Sequence, residues 1–401
     1  MQNVLSRYNP WWDGAEKPVS LINRESLTNM LLKQLSNQLV VFVTGLRRSG
    51  KTSIFKLFIY QLINETKIDQ KKILYISLDD YLLRNNSIIE ITEEFRKLNK
   101  IKFDEKVFLF FDEITSKNDY EIQLKNLHDL HNVKIFASSS SASLLKKGKP
   151  YLTGRSIALE VLPLDFNEYL LFKNIKLKSS DSHLLEGYFS DFISSGGIPG
   201  YVLTDDPSYL SNLVDDIIYK DIAAIYNIKS PAILKEYYLL LMERAGKLVS
   251  INKLSRILKI SPDTSKRYLE YFSSVFLIYQ VRRCGKTNET ILAQKKIYAP
   301  DLGIRNHLTG FRDKGSLFEN YVFLKLKHLS PCYYFRDGVE IDFAVKHDFL
   351  IEAKYHNEPL STKQQNLFDS SNFTKKEIIR NSFHLDSFIE QANYYYGKPK
   401  Q

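Results

Sequence analysis

Five stretches in the first 160 residues are apolar at nearly every position: residues 40–43, 73–76, 107–111, 133–137 and 157–159, with Lys134 the one charge among them. A strand apolar on both faces is covered on both sides, which predicts parallel strands with helices above and below. Between them lie segments with helical spacing, at residues 24–36, 53–62, on to Leu98, and ending near Leu130. The alternation predicts an α/β fold built on a parallel sheet. From Pro163 to Tyr226 the pattern turns helical and is broken by Gly196-Gly197-Ile198-Pro199-Gly200, which reads as a hinge or an inter-helix turn for a lid.

Residues 252–259 and 263–272 make two short amphipathic helices around Ser261-Pro262, and residues 275–283 read as a strand pair. This is the outline of a winged helix-turn-helix. Further on, a helix over 315–322 carries Glu319. Residues 339–345 alternate strictly, with Glu340 and Asp342 on the face opposite the apolar positions, and residues 349–355 form the next strand with Glu352 and Lys354 on one face. The divisions predicted are a nucleotide domain at 1–162, a helical lid at 163–227, the winged helix at 228–284 and an α/β tail at 285–401.

The strand at 40–43 runs into Gly45-Leu46-Arg47-Arg48-Ser49-Gly50-Lys51-Thr52, followed by Ser53 at a helix start. The spacing is that of a P-loop, in which glycines let successive backbone N–H groups face one phosphate chain. Lys51 would reach the outer phosphates and the Thr52 hydroxyl would sit on Mg²⁺. Residues 45–53 are therefore the candidate nucleotide-binding loop.

Two acids, Asp112 and Glu113, end the apolar strand at 107–111. At the C-terminal end of a parallel strand, Asp112 suits a Mg²⁺ position and Glu113 suits a base that polarises water. Ser138, after the next strand, is expected to touch the γ-phosphate or the water. Arg155, after Gly154, is expected to contact phosphate charge in its own or a neighbouring subunit; a structural salt bridge is the competing expectation.

In the tail, an Asp on one strand with Glu-x-Lys on the next is the arrangement of restriction-type nucleases. Glu319, Asp342 and Glu352 are the expected Mg²⁺ ligands, and Lys354 the group that orients or deprotonates water. Solvated acids on a retained fold are the alternative.

Charge sharpens this reading. The chain has 401 residues and a net charge of +10. Residues 228–284 hold eleven Lys/Arg against four Asp/Glu. A local basic excess points to a polyanion partner. Lys266, Arg267, Arg282 and Arg283 would lie on the second helix and wing, where DNA phosphates are met. Two cysteines, Cys284 and Cys332, are too few for a metal cluster and suit a reducing cytoplasm. No apolar run reaches the ~18–20 residues of a membrane span. The paired Trp11 and Trp12 are expected to staple the first segment onto a core.

Together these pieces resemble prokaryotic P-loop ATPases of the AAA+ class with a PD-(D/E)xK-like tail. The resemblance rests on Asn9-Pro10-Trp11-Trp12, the loop from Gly45 to Thr52, Asp112-Glu113, Gly154-Arg155, Gly196-Gly197-Ile198-Pro199, Asp301-Leu302-Gly303, Gly315 to Glu319, and Glu340-Ile341-Asp342 with Glu352-Ala353-Lys354. It implies ATP and Mg²⁺ as cofactors, ATP hydrolysis, a winged-helix middle, a nuclease-like tail and assembly of copies as a ring. Two departures stand out: no Pro precedes the first acid of the tail motif, and the sensor region is a run of serines without Asn. The expected function is ATP-driven DNA processing, with or without Mg²⁺-dependent cleavage by the tail. The alternative is an ATP-driven switch that binds a protein partner.

Overall fold

The computed structural model describes residues 1–14, 16–141, 149–346, 348–356 and 358–397, without the side chains of residues 149, 150, 179 and 182. The chain divides into two compact units: residues 1–162 with 274–276, and residues 163–273 with 277–401.

The first unit is built on five strands, β1 (Val40–Thr44), β2 (Ile73–Ser77), β3 (Val107–Asp112), β4 (Val133–Ser139) and β5 (Ser156–Glu160). Their order is β2-β3-β4-β1-β5, and every pair is parallel. Each residue of β1 and β3 is buried, as runs apolar on both faces require. The helix Lys51–Asn64 presses Phe55 and Phe58 onto the sheet, with ring centres 5.4 Å and 5.3 Å from Phe110 and Phe136. Since the strands are parallel and side by side, the C-terminal ends of β1, β3 and β4 open on one edge of the sheet. Ligands of open α/β sheets bind at such an edge.

The outer side of β2 is covered by the first residues of the chain. Asn9 donates to the Tyr75 carbonyl at 2.8 Å and accepts from the Tyr75 N–H at 2.6 Å. The Trp12 indole N–H donates to the Ile73 carbonyl at 2.8 Å, and both tryptophans are buried. The expected staple is present, and it does the work of a sixth strand in hydrogen bonding.

The second unit begins with the helices Phe166–Phe172, Leu185–Ser195, Pro199–Thr204 and Pro207–Asp216, the helical lid of this fold class. The Gly196-Gly197 break forms an inter-helix turn, one of the two expectations. Asp301 is buried and its carboxylate accepts from the N–H groups of Gly197 at 2.6 Å and Ile304 at 2.9 Å. Leu164 N–H donates to the Gly197 carbonyl at 2.7 Å. Gly196 has φ +73°, and a Cβ there would meet Gly303 N at 2.3 Å. The turn is held from both sides in this way.

A second correction concerns residues 275–283. They hold one short strand, β7 (Tyr279–Val281), whose partner is β8 (Lys295–Tyr298), beyond the predicted boundary at 284. With β6 (Lys247–Val249) they form an antiparallel sheet of order β6-β8-β7. It accompanies the helices Ile251–Ile257 and Pro262–Ser274. Periodicity alone could not see that the second strand lies more than ten residues downstream.

A four-stranded sheet of order β12-β11-β10-β9 follows, from β9 (Cys332–Arg336), β10 (Val339–Val345), β11 (Phe349–Ala353) and β12 (Lys375–Ile379). β9, β10 and β11 are antiparallel; β12 runs parallel to β11. The pairing of β10 with β9 shifts register between Ile341 and Ala344, around Asp342. Such bulges re-aim side chains. The cysteines are a third correction: Cys284 and Cys332 form a disulfide that joins the chain beyond β7 to β9, so their count no longer speaks for a reducing compartment.

Candidate nucleotide site and a buried carboxylate cluster

The loop after β1 curls because two glycines adopt positive φ, Gly45 at 141° and Gly50 at 99°. At Gly45 the backbone also passes so close to Val161 that a Cβ would sit 2.3 Å from its carbonyl oxygen. Lys51 is buried, with its ammonium 3.0 Å from the carbonyls of both Gly45 and Leu46. Among the described residues the buried Ser49 hydroxyl has no hydrogen-bond partner. Arg47, Arg48 and Ser53 complete the loop and helix start; Arg48 takes φ 64°, and Arg47 is half-buried. One residue that the motif does not predict holds the loop from below. Arg24 is buried, and its guanidinium donates to Ser49 O at 3.0 Å and Leu162 O at 3.1 Å.

The acids of β3 arrive from the next-but-one strand. Thr52 Oγ1 donates to Asp112 Oδ2 at 2.5 Å, and Tyr75 donates to the same oxygen at 2.8 Å. Ser138 donates to the other oxygen of Asp112 and accepts from Glu113 N–H at 2.9 Å. Both capacities of that hydroxyl are thus used to set the Asp112-Glu113 turn, where Glu113 takes φ 49°. Ser138 positions the two acids; the expectation that it touches the γ-phosphate is corrected. The residue that touches the candidate base is Ser140, whose hydroxyl donates to Glu113 Oε1 at 3.0 Å. Burial raises the Glu113 carboxyl above the ordinary range, against the pull of the Lys51 charge. That is the direction a general base needs.

Arg155 is elsewhere. It directly precedes β5, its carbonyl accepts from Val40 N–H at 2.8 Å, and its side chain pairs with Asp129 at 3.0 Å. Val40 opens β1, so Arg155 lies at the end of the sheet opposite the loop. A phosphate contact within its own subunit is excluded by that position.

The loop and β3 fit a nucleotide with Mg²⁺. A curled backbone, an orphaned serine hydroxyl, a lysine, and a hydroxyl beside a carboxylate are the donor set the chemistry asks for. An apolar crevice lined by Leu27, Leu31, Val43, Ile54, Leu159 and Val161 adjoins β1.

The basic residues of the middle segment divide. Lys266 and Arg267 are exposed on the helix Pro262–Ser274, and Arg282 is exposed after β7. Arg283 is spent on structure: it donates to Phe335 O at 2.9 Å and lies over that ring at 5.2 Å.

The tail motif residues come together as a buried cluster. Asp342 Oδ2 accepts from Ala353 N–H at 3.0 Å, and Glu352 Oε2 accepts from Asp342 N–H at 3.1 Å. Lys354 and Gln364 reach Glu352 Oε1 at 3.0 Å and 2.8 Å. At the centre stands Lys296, from β8. Its ammonium lies 2.7 Å from Glu319, 2.5 Å from Glu340 and 3.0 Å from Asp342, and its side chain is 2% exposed. Burial pushes Glu319 up to about 7 and Glu352 up to about 8, with the Asp342 charge adding to both. Burial opposes charge on Lys296, but the surrounding carboxylates outweigh it and hold its pKa well above the ordinary value. This cluster does not fit Mg²⁺. The oxygens of Asp342 and Glu352 are taken by N–H donors, Glu319 Oε1 by Lys296 and Tyr298, and among the described residues no group of three or more acids, His or Cys is set to hold a metal.

Comparison with known proteins bears on the whole chain. A family described as "AAA domain" matches residues 37–170, and one described as "Domain of unknown function (DUF8612)" matches residues 186–315. The chain is 32% identical over 350 residues to the uncharacterized protein MJ1544 of Methanocaldococcus jannaschii, covering 82% of this chain and 76% of that one. It belongs to the family of MJ1544. A Haemophilus influenzae relative is 27% identical over 397 residues, 94% of this chain and 98% of its own. The Walker-type ATPase PABY2304 of Pyrococcus abyssi shares 16% identity with a TM-score of 0.45, over 74% of this chain and 99% of that one. The family places a P-loop AAA+ ATPase fold in the first part of the chain, where the loop and β3 acids lie. Among the described residues no helix is long and apolar enough to cross a membrane.

Proposed function

We propose that the protein hydrolyses ATP and uses the cycle to act on DNA. The observation that carries the reading is the meeting of Thr52 and Asp112, which sets a P-loop hydroxyl against a buried carboxylate with Glu113 next in the chain. The loop N–H groups and Lys51 would hold the phosphates. Thr52 and Asp112 would hold Mg²⁺, which supplies charge neutralisation at the phosphates when bound. Glu113, raised by burial, would take the proton of the attacking water. Arg155, excluded from its own site, would serve a neighbouring copy in a ring, as the family resemblance implies.

DNA as the object rests on the basic middle segment. We read β6, β7, β8 and their two helices as a winged helix, with Lys266, Arg267 and Arg282 toward phosphates. The tail, read as nuclease-like in its placement of Asp342, Glu352 and Lys354, acts here as a scaffold. The deciding experiment is ATP turnover of the purified protein with and without linear, forked and four-way DNA. Stimulation by one of these forms supports the reading, and none by any form overturns the DNA part. Loss of ATP binding in Lys51→Ala tests the nucleotide part.

A second reading is favoured by one observation. Ser140 donates to Glu113 Oε1 and so restrains the candidate base. A slow ATPase of this kind would serve as a switch that presents its second unit to a protein partner. The same assay separates the two, because a switch shows turnover indifferent to DNA.

A further inference from the structure

Lys296 has no place in the motif that Asp342, Glu352 and Lys354 form, yet it occupies the centre of their cluster. An ammonium donates three hydrogen bonds. Lys296 has three carboxylate acceptors, on Glu319, Glu340 and Asp342, at 2.5–3.0 Å. Its donor capacity is therefore filled by the acids a metal would need. The acids come from two elements: the helix Lys314–Leu326 supplies Glu319, and β10 supplies Glu340 and Asp342. The lysine comes from a third, β8.

The side chain is also held at its root. Lys296 pairs in register with Leu248 of β6 on one side and Val281 of β7 on the other. A strand paired on both edges fixes the backbone from which the side chain leaves. The stem is enclosed, with 2% of the side chain exposed. Lys354 differs: it makes one ion pair, and its side chain is 19% exposed.

We propose that Lys296 is the resident cation of this cluster, a built-in substitute for a divalent metal, so that the tail carries a metal-free carboxylate site. A divalent ion needs about six oxygen ligands close around it. Here Nζ takes one oxygen each from three carboxylates, and the Asp342 and Glu352 oxygens that remain accept N–H groups. The proposal does not depend on ATP turnover, since it concerns residues of the second unit alone.

The test uses the full chain without nucleotide, in an Asp112→Asn background that removes the metal position of the first unit, with Mn²⁺ as the probe and electron paramagnetic resonance of free Mn²⁺ as the readout. The parent is expected to take up no Mn²⁺ at the cluster. Lys296→Met, of similar length and neutral, is expected to take up one Mn²⁺ per chain, at least tenfold tighter than any binding by the parent, and further substitution of Asp342→Asn should abolish that uptake. Uptake by the parent that Asp342→Asn removes would overturn the proposal, as would a folded Lys296→Met protein that leaves Mn²⁺ free. If Lys296→Met does not fold, the comparison of the parent with Asp342→Asn decides by itself.

Discussion

Thr52 and Asp112 are sixty positions apart in the chain and 2.5 Å apart in space. That contact joins the loop after β1 to the end of β3. If it marks the Mg²⁺ position, Asp112→Asn should leave nucleotide binding without Mg²⁺ unchanged and remove the gain that Mg²⁺ brings. Turnover should fall by roughly 10²-fold or more. Nucleotide titrations with and without Mg²⁺, alongside phosphate release, check both parts.

Glu113 and Ser140 predict opposite effects. Glu113→Gln keeps size and hydrogen bonding but loses the base, so turnover should drop by about 10²–10⁴-fold while ATP affinity stays within a few-fold. Ser140→Ala frees the carboxylate from the hydrogen bond it accepts at 3.0 Å, and turnover should rise. Equal rates in wild type and Ser140→Ala would mean that this bond does not restrain the step.

At Gly45 the prediction concerns shape. A methyl group there meets the Val161 carbonyl oxygen at 2.3 Å, on a backbone with φ of 141°. Gly45→Ala should lose ATP binding and lower the melting temperature. Arg24→Ala should do so more mildly, since it removes the donor to the buried Ser49 carbonyl, at a cost of ~1–3 kcal/mol, and the donor to the half-buried Leu162 carbonyl. Thermal unfolding with and without ATP reports on both.

For the basic helix, Lys266→Glu with Arg267→Glu should weaken DNA binding and flatten its dependence on salt, since each lost phosphate contact lowers the slope of log affinity against log salt by about 0.9. Arg283→Ala should act differently. It removes packing over Phe335 and should reduce stability more than it changes the salt slope.

Asp301 gives a prediction in pH. Burial lifts its carboxyl from 3.8 to about 6, against the N–H groups of Gly197, Ile304 and Gly303, which pull it down. Between those values the folded chain holds a proton that the unfolded chain has released. The stabilisation from that proton is therefore complete below about pH 4 and lost as pH rises through about 6, a change of roughly 3 kcal/mol. Denaturant unfolding between pH 4 and 7 should show a steeper fall in stability for wild type than for Asp301→Asn.

The nucleotide half of the molecule was legible because its signals are local. Strands buried on both faces write themselves as apolar runs, and the loop spacing is contained in eight residues. Asp112 and Glu113 were readable from the end of such a run. What escaped is long-range. Ser138 looked like a phosphate contact, but its hydroxyl is filled by Asp112 and Glu113. Arg155 follows a glycine as expected, yet the parallel sheet puts it at the far end. The contact that holds Gly196-Gly197 comes from Asp301, over a hundred residues away. Lys296 gave no signal at all: in sequence it is one lysine of a Lys295-Lys296 pair before a short apolar strand.

The cover that Asn9 and Trp12 lay over β2 also limits how copies of this chain can meet. They take the outward N–H of Tyr75 and the outward carbonyls of Tyr75 and Ile73. A neighbouring sheet that approached that flank would meet these groups already paired, which opposes the fusion of two sheets there into one continuous ribbon.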